Sequence, residues 1–492
     1  MSDLLPAGVR LSNAAKLYID GRWQAPRADG RIDVVSPDTE DIVARVAEAR
    51  EADMDLAVAS ARAAFDRGPW PRMSVAERGG YLKRMGEYLA PRVPELAEAL
   101  RASIGALPPL AAAMAGGAAQ SFAGHAELGL VYPWISKQAS TEPGYETMIV
   151  REPVGVVAAI APWNSPFAIM VNKVAPALIC GCTVVMKPSP ETPLDAYFIA
   201  EAAEAAGLPP GVVNLVPSHR EAADYLVRNP GVDKITFTGS TAAGRRIASV
   251  AGERIARVTL ELGGKSPAVI LDDYPVEAAG AQLARTITVM TGQVCAMLSR
   301  VIVPAHRQNE LSEAIAAEMK RVKVGHSDDP STEMGPLAMR RQLDRVEGYI
   351  ARATADGAKL VTGGGRPSHL NKGVFIEPTL FADVDNSSQL AQEEVFGPVL
   401  ALIPARDEAH AFELANETSY GLNAAIFTND TERFTALARG IRSGTVVQNG
   451  MVLDFAAPFG GFKQSGLGRE GGVEGVAPYT ETKTVLVKQA AH

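Results

Sequence analysis

The chain has 492 residues, of which 47% are hydrophobic and 21% are charged, and its formal net charge is −8. These values are typical of a globular protein with two or three domains. The acidic balance gives no electrostatic reason to expect a nucleic acid or an anionic membrane as a partner. The N-terminus lacks the apolar core of a signal peptide, and no apolar run reaches the roughly 18 residues of a membrane helix. Three cysteines cannot all pair, and Cys180 and Cys182 are too close for an ordinary disulfide, so we expect a reduced, cytoplasmic protein.

The first 130 residues predict short strands followed by helices. LYIDGRW alternates and then turns at Asp20-Gly21, which predicts a β-hairpin, and IDVVSP and DIVARVA predict further short strands. Helical spacing covers residues 51–67 and 75–104. Residues 105–128 are rich in Ala and Gly and predict a helix that packs closely on its neighbours.

From Met148 onwards strands and helices alternate, which is typical of parallel βαβ units. Buried strands are predicted at VGVVAAI, at CTVVMK ending at Lys187, at VVNLVP and at ITFT. A second alternating region follows Glu261, with PAVILDD, a helix carrying Cys295, and RVIVPA, and it continues to about Asn449. We therefore expect an α/β fold with two parallel-sheet domains. The last segment, TKTVLVKQ, predicts an apolar edge strand, which we expect to pair with another subunit.

Cys295 is the candidate nucleophile. It lies in TITVMTGQVCAMLSR, where Gly292 precedes it and the small Ala296 follows it, so that a substrate can approach the thiol. A nucleophilic cysteine needs that access and a route to the thiolate. The alternative is a buried cysteine that acts as a small hydrophobic residue.

Two glycine-rich segments are candidate phosphate loops. GSTAAG, residues 239–244, follows the strand ITF and opens a helix whose first N–H groups could bind a pyrophosphate, with Ser240 adding a hydroxyl; the alternative is a serine-capped helix. GLGREG, residues 466–471, has the glycine spacing of a dinucleotide loop but follows a polar loop instead of a buried strand. We interpret it as unrelated to phosphate binding.

Several polar residues stand at strand ends or in turns, where a ligand or a structural partner could hold them. Lys187 ends a buried strand, and Asn164 follows one and could donate to an oxyanion. Glu261 ends the apolar strand VTLE, so burial would raise its pKa towards the value of a general base. Glu394 could accept the two hydroxyls of a ribose. Each residue also has a structural alternative. Lys187 could be a solvated lysine and Asn164 a turn asparagine, while Glu261 could be a salt-bridged glutamate and Glu394 part of a solvated acidic turn. The histidines show no metal-ligand spacing, and no metal is expected.

Taken together, six motifs in this order and spacing resemble the NAD(P)-dependent aldehyde dehydrogenase superfamily, and the resemblance covers nearly the whole chain. The motifs are APWNSP, MKPSPETP, ITFTGSTAAG, ELGGKSP with Cys295 standing 34 residues after its glutamate, EEVFGPV and PFGGFKQSGLGRE. The resemblance implies a Rossmann-like cofactor domain at residues 1–130 and 150–261 and a catalytic domain at 262–450. It further implies oligomerisation strands at 131–149 and 475–492, which form a homodimer or a homotetramer, and a loop at 451–474 that returns to the active site.

The resemblance also implies a role for each motif residue. Cys295 attacks the aldehyde, Asn164 and the Cys295 amide form the oxyanion hole, and Glu261 activates the water that hydrolyses the thioester to the acid. NAD is implied as the cofactor, with NADP possible. Its contacts are Ala161, Pro162, Trp163, Lys187, Pro190, Gly239, Ser240, Leu262, Gly263, Glu394 and Phe396. The substrate tunnel is lined by Ser165, Asn172, Val294, Ala296 and Phe459.

Three departures from the family pattern refine these expectations. Ser165 and Asn172 replace bulkier residues of many members, which predicts a roomier and partly polar tunnel. Pro190 stands where many NAD-preferring members carry a glutamate, which predicts NAD as the preferred cofactor with measurable NADP activity. Two alternatives are kept: a CoA-acylating dehydrogenase, which Glu261 argues against, and a catalytically silent structural member, which the intact set of Asn164, Glu261 and Cys295 argues against.

Overall fold

The computed structural model describes residues 4–489. Within them the strands, in chain order, are β1 (Leu17–Ile19), β2 (Arg22–Gln24), β3 (Arg31–Val35), β4 (Ile42–Ala47), β5 (Ile135–Ala139), β6 (Tyr145–Pro153), β7 (Val156–Ile160), β8 (Thr183–Lys187), β9 (Val213–Leu215), β10 (Lys234–Thr238), β11 (Arg257–Glu261), β12 (Ser266–Ile270), β13 (Leu298–Pro304), β14 (Lys359–Thr362), β15 (Thr379–Ala382), β16 (Val399–Ala405), β17 (Asn423–Phe427), β18 (Thr445–Gln448), β19 (Gly466–Leu467) and β20 (Thr480–Lys488).

The helices of the same residues are α1 (Glu51–Asp66), α2 (Val75–Leu89), α3 (Val93–Ile104), α4 (Pro108–Val131), α5 (Pro166–Cys180), α6 (Leu194–Ala205), α7 (Arg220–Arg228), α8 (Thr241–Glu253), α9 (Val276–Thr288), α10 (Gln308–Met319), α11 (Arg340–Ala355), α12 (Gln389–Gln392), α13 (Glu408–Asn416), α14 (Thr431–Ala438) and α15 (Gly472–Val476). None of these helices is long and apolar enough to cross a membrane. The helical spacing over residues 75–104 is divided between α2 and α3, because Pro91 and Pro94 lack the N–H groups that a continuous helix needs.

An eight-stranded sheet carries the first set of candidate residues. Its strand order is β19-β11-β10-β7-β8-β9-β1-β2, and the five strands from β11 to β9 are parallel. Strands β7, β8 and β10 are buried along their whole length, as strands covered by helices on both faces must be. The predicted βαβ units of this region are confirmed.

A seven-stranded sheet forms a second α/β unit. Its order is β14-β15-β16-β13-β12-β17-β18, and β14 alone runs antiparallel to its neighbour. An apolar cluster packs on each face of this sheet. The predicted α/β fold with two parallel sheets is confirmed, whereas the domain boundaries drawn from the sequence stay a prediction.

The C-terminal strand pairs inside its own chain. β20 runs antiparallel to β6 over nine residues from Thr480 to Lys488, and β5 pairs with the other edge of β6. The free edge and faces of this small sheet expose apolar side chains, with Ile135 58% and Leu486 52% exposed. Pairing with another subunit stays a prediction, and residues 490–492 of the predicted oligomerisation segment lie outside the described residues.

Candidate active site

Cys295 lies in a turn, not on a helix as the sequence predicted. Helix α9 ends at Thr288, and the following residues Met290, Thr291 and Gly292 have left-handed φ angles of 49°, 54° and 74°. Three such residues in a row cannot continue a right-handed helix. Gly292 is required here, because a side chain would clash with the backbone carbonyl of Gly397. The chain then turns through Cys295 into β13 with its thiol half-buried.

The turn is held by Gln293 and Asn164. The Gln293 side chain donates to the carbonyl of Met290 at 2.9 Å and accepts from the N–H of Ala338 at 2.9 Å. Asn164, which follows β7 and is 6% exposed, donates from Nδ2 to the carbonyl of Gln293 at 2.9 Å. A side-chain amide has two N–H donors, so one of them is left for a ligand beside the thiol.

Glu261 ends β11 and is aligned with its neighbours at one edge of the sheet. In register, Glu261 lies beside Thr238, and Ile160 of β7 lies beside Lys187 of β8. The carboxyl ends of parallel strands face the ligand crevice of an open α/β sheet. The structure therefore brings the strand-end residues predicted from the sequence to a common edge.

The carboxyl group of Glu261 is buried and free of protein hydrogen bonds. The residue is 2% exposed, and neither of its oxygens finds a hydrogen-bond partner among the described residues. Burial raises its pKa well above the ordinary value, and the nearby Glu470 raises it further, while Lys173 and Arg469 act in the opposite direction. Gly460 packs directly against this carboxyl group, because a side chain at position 460 would come within 2.7 Å of Glu261 Oε1.

A buried ion pair stands beside Glu261 that the sequence analysis missed. Lys173 Nζ donates to Glu470 Oε1 at 2.5 Å, and both side chains are at most 5% exposed. Glu470 belongs to GLGREG, whose first two residues form β19 and pair antiparallel with Leu260 and Glu261. This motif therefore supports the end of β11, and its predicted lack of a phosphate-binding role stays a prediction.

The thiol of Cys295 is surrounded by groups that keep it protonated. Burial raises its pKa to about 12, and the carboxylates of Glu394 and Glu261 contribute to the rise, while two backbone N–H groups oppose it. The carbonyl oxygen of Cys295 presses against Gly264, where a side chain would clash. The nucleophile therefore needs a base, or a positive charge nearby, before it can react.

Glu394 lies on the other side of the glycine pair. Its Oε1 accepts the N–H of Gly264 at 3.0 Å, and a side chain at Gly263 would come within 2.5 Å of its Oε2. Burial raises the pKa of Glu394 to about 7. Phe396 has a left-handed φ of 62° and meets the ring of Trp163 edge to face, with 5.3 Å between centroids. These aromatic rings and the carboxyl group form one wall of the cleft.

The segment around Gly239 fits a pyrophosphate. Ser240 caps α8 by accepting the N–H of Ala243 at 3.3 Å, and the other N–H groups of the first turn have no partner within the helix. Glycine is required at position 239, because a side chain there would collide with the ring of Phe237. The buried hydroxyl of Thr238 has no protein partner among the described residues.

The remaining predicted cofactor residues frame the same cleft. The N–H of Ala161 donates to the carbonyl of Lys187 at 3.2 Å, which places Pro162 directly after this contact. The N–H of Leu262 donates to the carbonyl of Ser465 at 2.8 Å, and the Leu262 side chain packs against Gly244 of the glycine turn. Burial lowers the pKa of Lys187 to about 8.

A cation that the sequence could not place lies near Pro190. Glu191 accepts a hydrogen bond from the Ser189 hydroxyl and forms an ion pair with Arg341 at 2.5 Å. These contacts lower the pKa of Glu191 against the opposing effect of its burial. Arg341 comes from α11, about 150 residues away in the chain, so local sequence gave no sign of it.

The predicted tunnel residues lie on two sides of the nucleophile. Val294, Ala296 and Phe459 share one small apolar cluster with Cys295. Ser165 precedes α5 and Asn172 lies two turns along it, both half-buried. Near this cluster, Phe455 packs on Phe459 with 5.5 Å between ring centroids. The tunnel roles of Ser165 and Asn172 stay predictions.

Comparison with known proteins agrees with this geometry. The sequence pattern of the aldehyde dehydrogenase family matches residues 23–485. Geranial dehydrogenase of Castellaniella defragrans is 41% identical over 476 residues, which are 96% of this chain and 98% of that protein. An aldehyde dehydrogenase of Mycobacterium tuberculosis solved with NAD⁺ is 42% identical, with a TM-score of 0.94 over 98% of this chain and 100% of that chain.

A further solved structure contains both a cofactor and an aldehyde. It is a variant of aldehyde dehydrogenase C of Pseudomonas syringae with NAD⁺ and octanal, and it is 40% identical with a TM-score of 0.93 over 97% of this chain and 98% of that chain. The chain therefore belongs to the aldehyde dehydrogenase family, and the reaction that it catalyses is the NAD-dependent oxidation of an aldehyde to the carboxylic acid.

Proposed function

We propose that Cys295, Asn164 and Glu261 carry out this reaction. Cys295 is the nucleophile, and the free N–H of the Asn164 amide and the backbone N–H of Cys295 stabilise the oxyanion of the thiohemiacetal. Glu261 takes a proton from the water that hydrolyses the thioester. The observation that carries the proposal is that both polar residues lie close to the Cys295 turn. Asn164 donates a hydrogen bond to this turn, and Glu261 is near enough to raise the pKa of the thiol. Both carboxyl oxygens of Glu261 have no hydrogen-bond partner among the described residues.

The cofactor would be held across the carboxyl edge of the eight-stranded sheet. Gly239 and Ser240 suit the pyrophosphate, Lys187 the adenosine ribose, and Glu394 the nicotinamide ribose, with Phe396 and Trp163 beside the nicotinamide ring. When bound, NAD supplies the hydride acceptor. Lys187, with its lowered pKa, and the half-buried Glu394 then gain a hydrogen-bonding partner that offsets the cost of their burial.

Glu261 favours hydrolysis over transfer of the acyl group to CoA. An unpaired buried carboxyl group lowers the stability of the fold. A role in hydrolysis explains why Glu261 stands in this position. The experiment is to mix the protein with NAD and an aldehyde and to follow NADH absorbance with and without CoA. CoA-independent formation of the acid supports the proposal, whereas strict dependence on CoA would replace it with the acylating reaction.

We propose that the physiological aldehydes are apolar and of medium size, including branched or aromatic ones. Val294, Ala296 and Phe459 surround Cys295, and an exposed Phe455 continues the apolar surface outwards. The octanal of one related structure and the geranial of one related enzyme's name are both apolar. Because one methylene is worth about 1–3 kcal/mol in such a pocket, we expect broad selectivity. Turnover of acetaldehyde alone, without hexanal or benzaldehyde, would contradict this.

We further propose NAD as the preferred cofactor, with measurable NADP activity. Pro190 offers no carboxylate against a 2′-phosphate, and Glu191 is already paired with Arg341. Values of kcat/KM for both cofactors test this, and a higher value for NADP would overturn it.

The chain is also proposed to form a homodimer or homotetramer in the cytoplasm. The exposed apolar surface of the small β-sheet and three free cysteines support these two points. Light scattering at several protein concentrations tests the assembly, and a monomer at all of them would contradict it.

A further inference from the structure

A small polar cavity lies behind the nucleophile turn. Its volume for a water-sized occupant is about 10 Å³, which is room for one water molecule or one small ion. Lys265, Ser266, Asn423 and Ser443 all line it. Neither Cys295 nor Glu394 is among the residues that line it.

Each of these four residues presents a buried polar atom without a partner. Lys265 is 1% exposed, Ser266 2%, Asn423 0% and Ser443 8%. Their atoms Nζ, Oγ, Oδ1 and Oγ make no hydrogen bond within the described residues. One unsatisfied buried polar atom costs about 1–3 kcal/mol, so four around one cavity indicate a bound molecule that satisfies them.

The chemistry of the four atoms selects the occupant. Asn423 Nδ2 donates to the carbonyl of Ala296 at 2.9 Å, which fixes Oδ1 as the acceptor facing the other way. Lys265 is a donor, and each serine hydroxyl is both donor and acceptor. A halide would meet the lone pairs of Asn423, and a cation would meet Lys265. A water molecule can accept from Lys265 and one serine and donate to Asn423 and the other serine.

The site is connected to the turn that carries Cys295. Gly264, directly before Lys265, touches the carbonyl oxygen of Cys295, and Asn423 holds the carbonyl of Ala296. Gly264 and Asn423 therefore contact the carbonyls of two successive residues, Cys295 and Ala296, and Lys265 is bonded directly to Gly264. On the far side, Arg300 donates to the carbonyl of Lys265 at 3.1 Å and to three other neutral oxygens, so the lysine backbone is fixed.

We propose that one buried water molecule, bound by Lys265, Ser266, Asn423 and Ser443, joins the two sides of the nucleophile turn, and that Lys265 and Asn423 are positioning residues for the Cys295 backbone. Only the predicted effects on kcat and on Cys295 alkylation rest on the proposed role of Cys295 as the nucleophile. The water site itself stands on burial and unmet hydrogen bonds.

The first experiment is a high-resolution crystal structure of the wild-type protein grown in bromide instead of chloride. We expect one peak in the cavity, about 2.6–3.2 Å from the four polar atoms, without an anomalous bromide signal. A bromide signal, an absent peak, or direct pairing of the four side chains with each other would overturn the water site. This result does not depend on which residue is the nucleophile.

The second experiment tests the positioning role with Ser443→Ala, Lys265→Met and the double variant. The Ser443 hydroxyl makes no hydrogen bond to the turn or to any other described residue, so we expect its effect to pass through the water. We expect Ser443→Ala to lower kcat roughly twofold to tenfold, the effect of one lost hydrogen bond, with the KM for NAD unchanged. Ser312→Ala, at a serine that is also 8% exposed but lies on α10 outside the cavity, is the matched control.

The double variant separates a shared water from independent effects. If one water joins the two residues, Lys265→Met with Ser443→Ala loses no more than the more damaging single change. Losses that multiply would overturn the bridge. If Lys265→Met fails to fold, the rate at which iodoacetamide alkylates Cys295 is measured in Ser443→Ala instead. A rate that differs from that of the Ser312→Ala control supports a connection between the water site and the nucleophile turn, and an equal rate refutes it.

Discussion

Glu261→Gln separates the catalytic role of this residue from its structural role. Glutamine has the same shape, and it resembles the uncharged form of glutamic acid that burial favours. Because neither oxygen of Glu261 is hydrogen-bonded by the described residues, the exchange breaks no protein contact. We therefore expect a folded protein that has lost its base.

Two magnitudes follow from the burial of Glu261. Loss of a general base lowers the steady-state rate by about 10²–10⁴-fold, while Cys295 can still react once, so a burst of NADH should precede slow turnover. For stability, the folded protein keeps a proton that the unfolded chain releases near the ordinary pKa of 4.5. Wild-type stability therefore falls by about 1.4 kcal/mol per pH unit between the two pKa values, and the glutamine variant escapes this loss.

The assay combines stopped-flow NADH absorbance with urea unfolding from about pH 5 to about pH 7. The variant should gain stability relative to the wild type as the pH rises, while its burst remains. Glu310→Gln, at an exposed glutamate of α10, is the control and should change neither quantity. Undiminished turnover of Glu261→Gln would rule out the base, and a stability difference independent of pH would refute the raised pKa of Glu261.

Three further predictions concern the nucleophile and the cofactor. Cys295→Ala should abolish turnover and keep NAD binding, measured by protein fluorescence, and an active Cys295→Ala would end the proposed mechanism. Cys180→Ala should remain active, because Cys180 is buried and its thiol donates to the backbone carbonyl of Val476. Alkylation of Cys295 in the cofactor-free protein should still accelerate with pH above 9, since its pKa is raised to about 12, and a plateau below pH 9 would contradict that burial. Pro190→Glu should raise the NAD to NADP ratio of kcat/KM, and an unchanged ratio would show that this position does not select the cofactor.

Local sequence was sufficient to predict the sheets and the strand-end residues. Continuous apolar runs such as VGVVAAI predict buried parallel strands, and parallel strands bring their carboxyl ends together without any further information. Lys187 and Glu261 are accordingly found where the pattern predicted them. The resemblance to the family then supplied the roles, which the residue types alone left open.

The sequence failed where long-range contacts decide the local conformation. The stretch before Cys295 is rich in β-branched residues and contains a glycine, which favour a helix only weakly. It leaves the helix where Gly292 must pass against Gly397 and the Gln293 side chain must reach Ala338. Lys173 and Glu470 are 297 residues apart, and neither carries a local sign of pairing. The partner of Glu191 was likewise missed, because Arg341 arrives from another part of the fold.

The glycines around the site explain why such contacts can form there. Gly263 and Gly264 let Glu394 and the Cys295 carbonyl approach one backbone from two sides, and Gly460 does the same for the Glu261 carboxyl group. A methyl group at any of the three would push Glu394, the Cys295 carbonyl or Glu261 away from its place. The same closeness removes water, which raises the pKa of Cys295, Glu261 and Glu394 together. The acidity of the nucleophile and the basicity of its partner are therefore set by backbone packing, so we expect alanine at Gly460 to alter the pH dependence of turnover before it alters the fold.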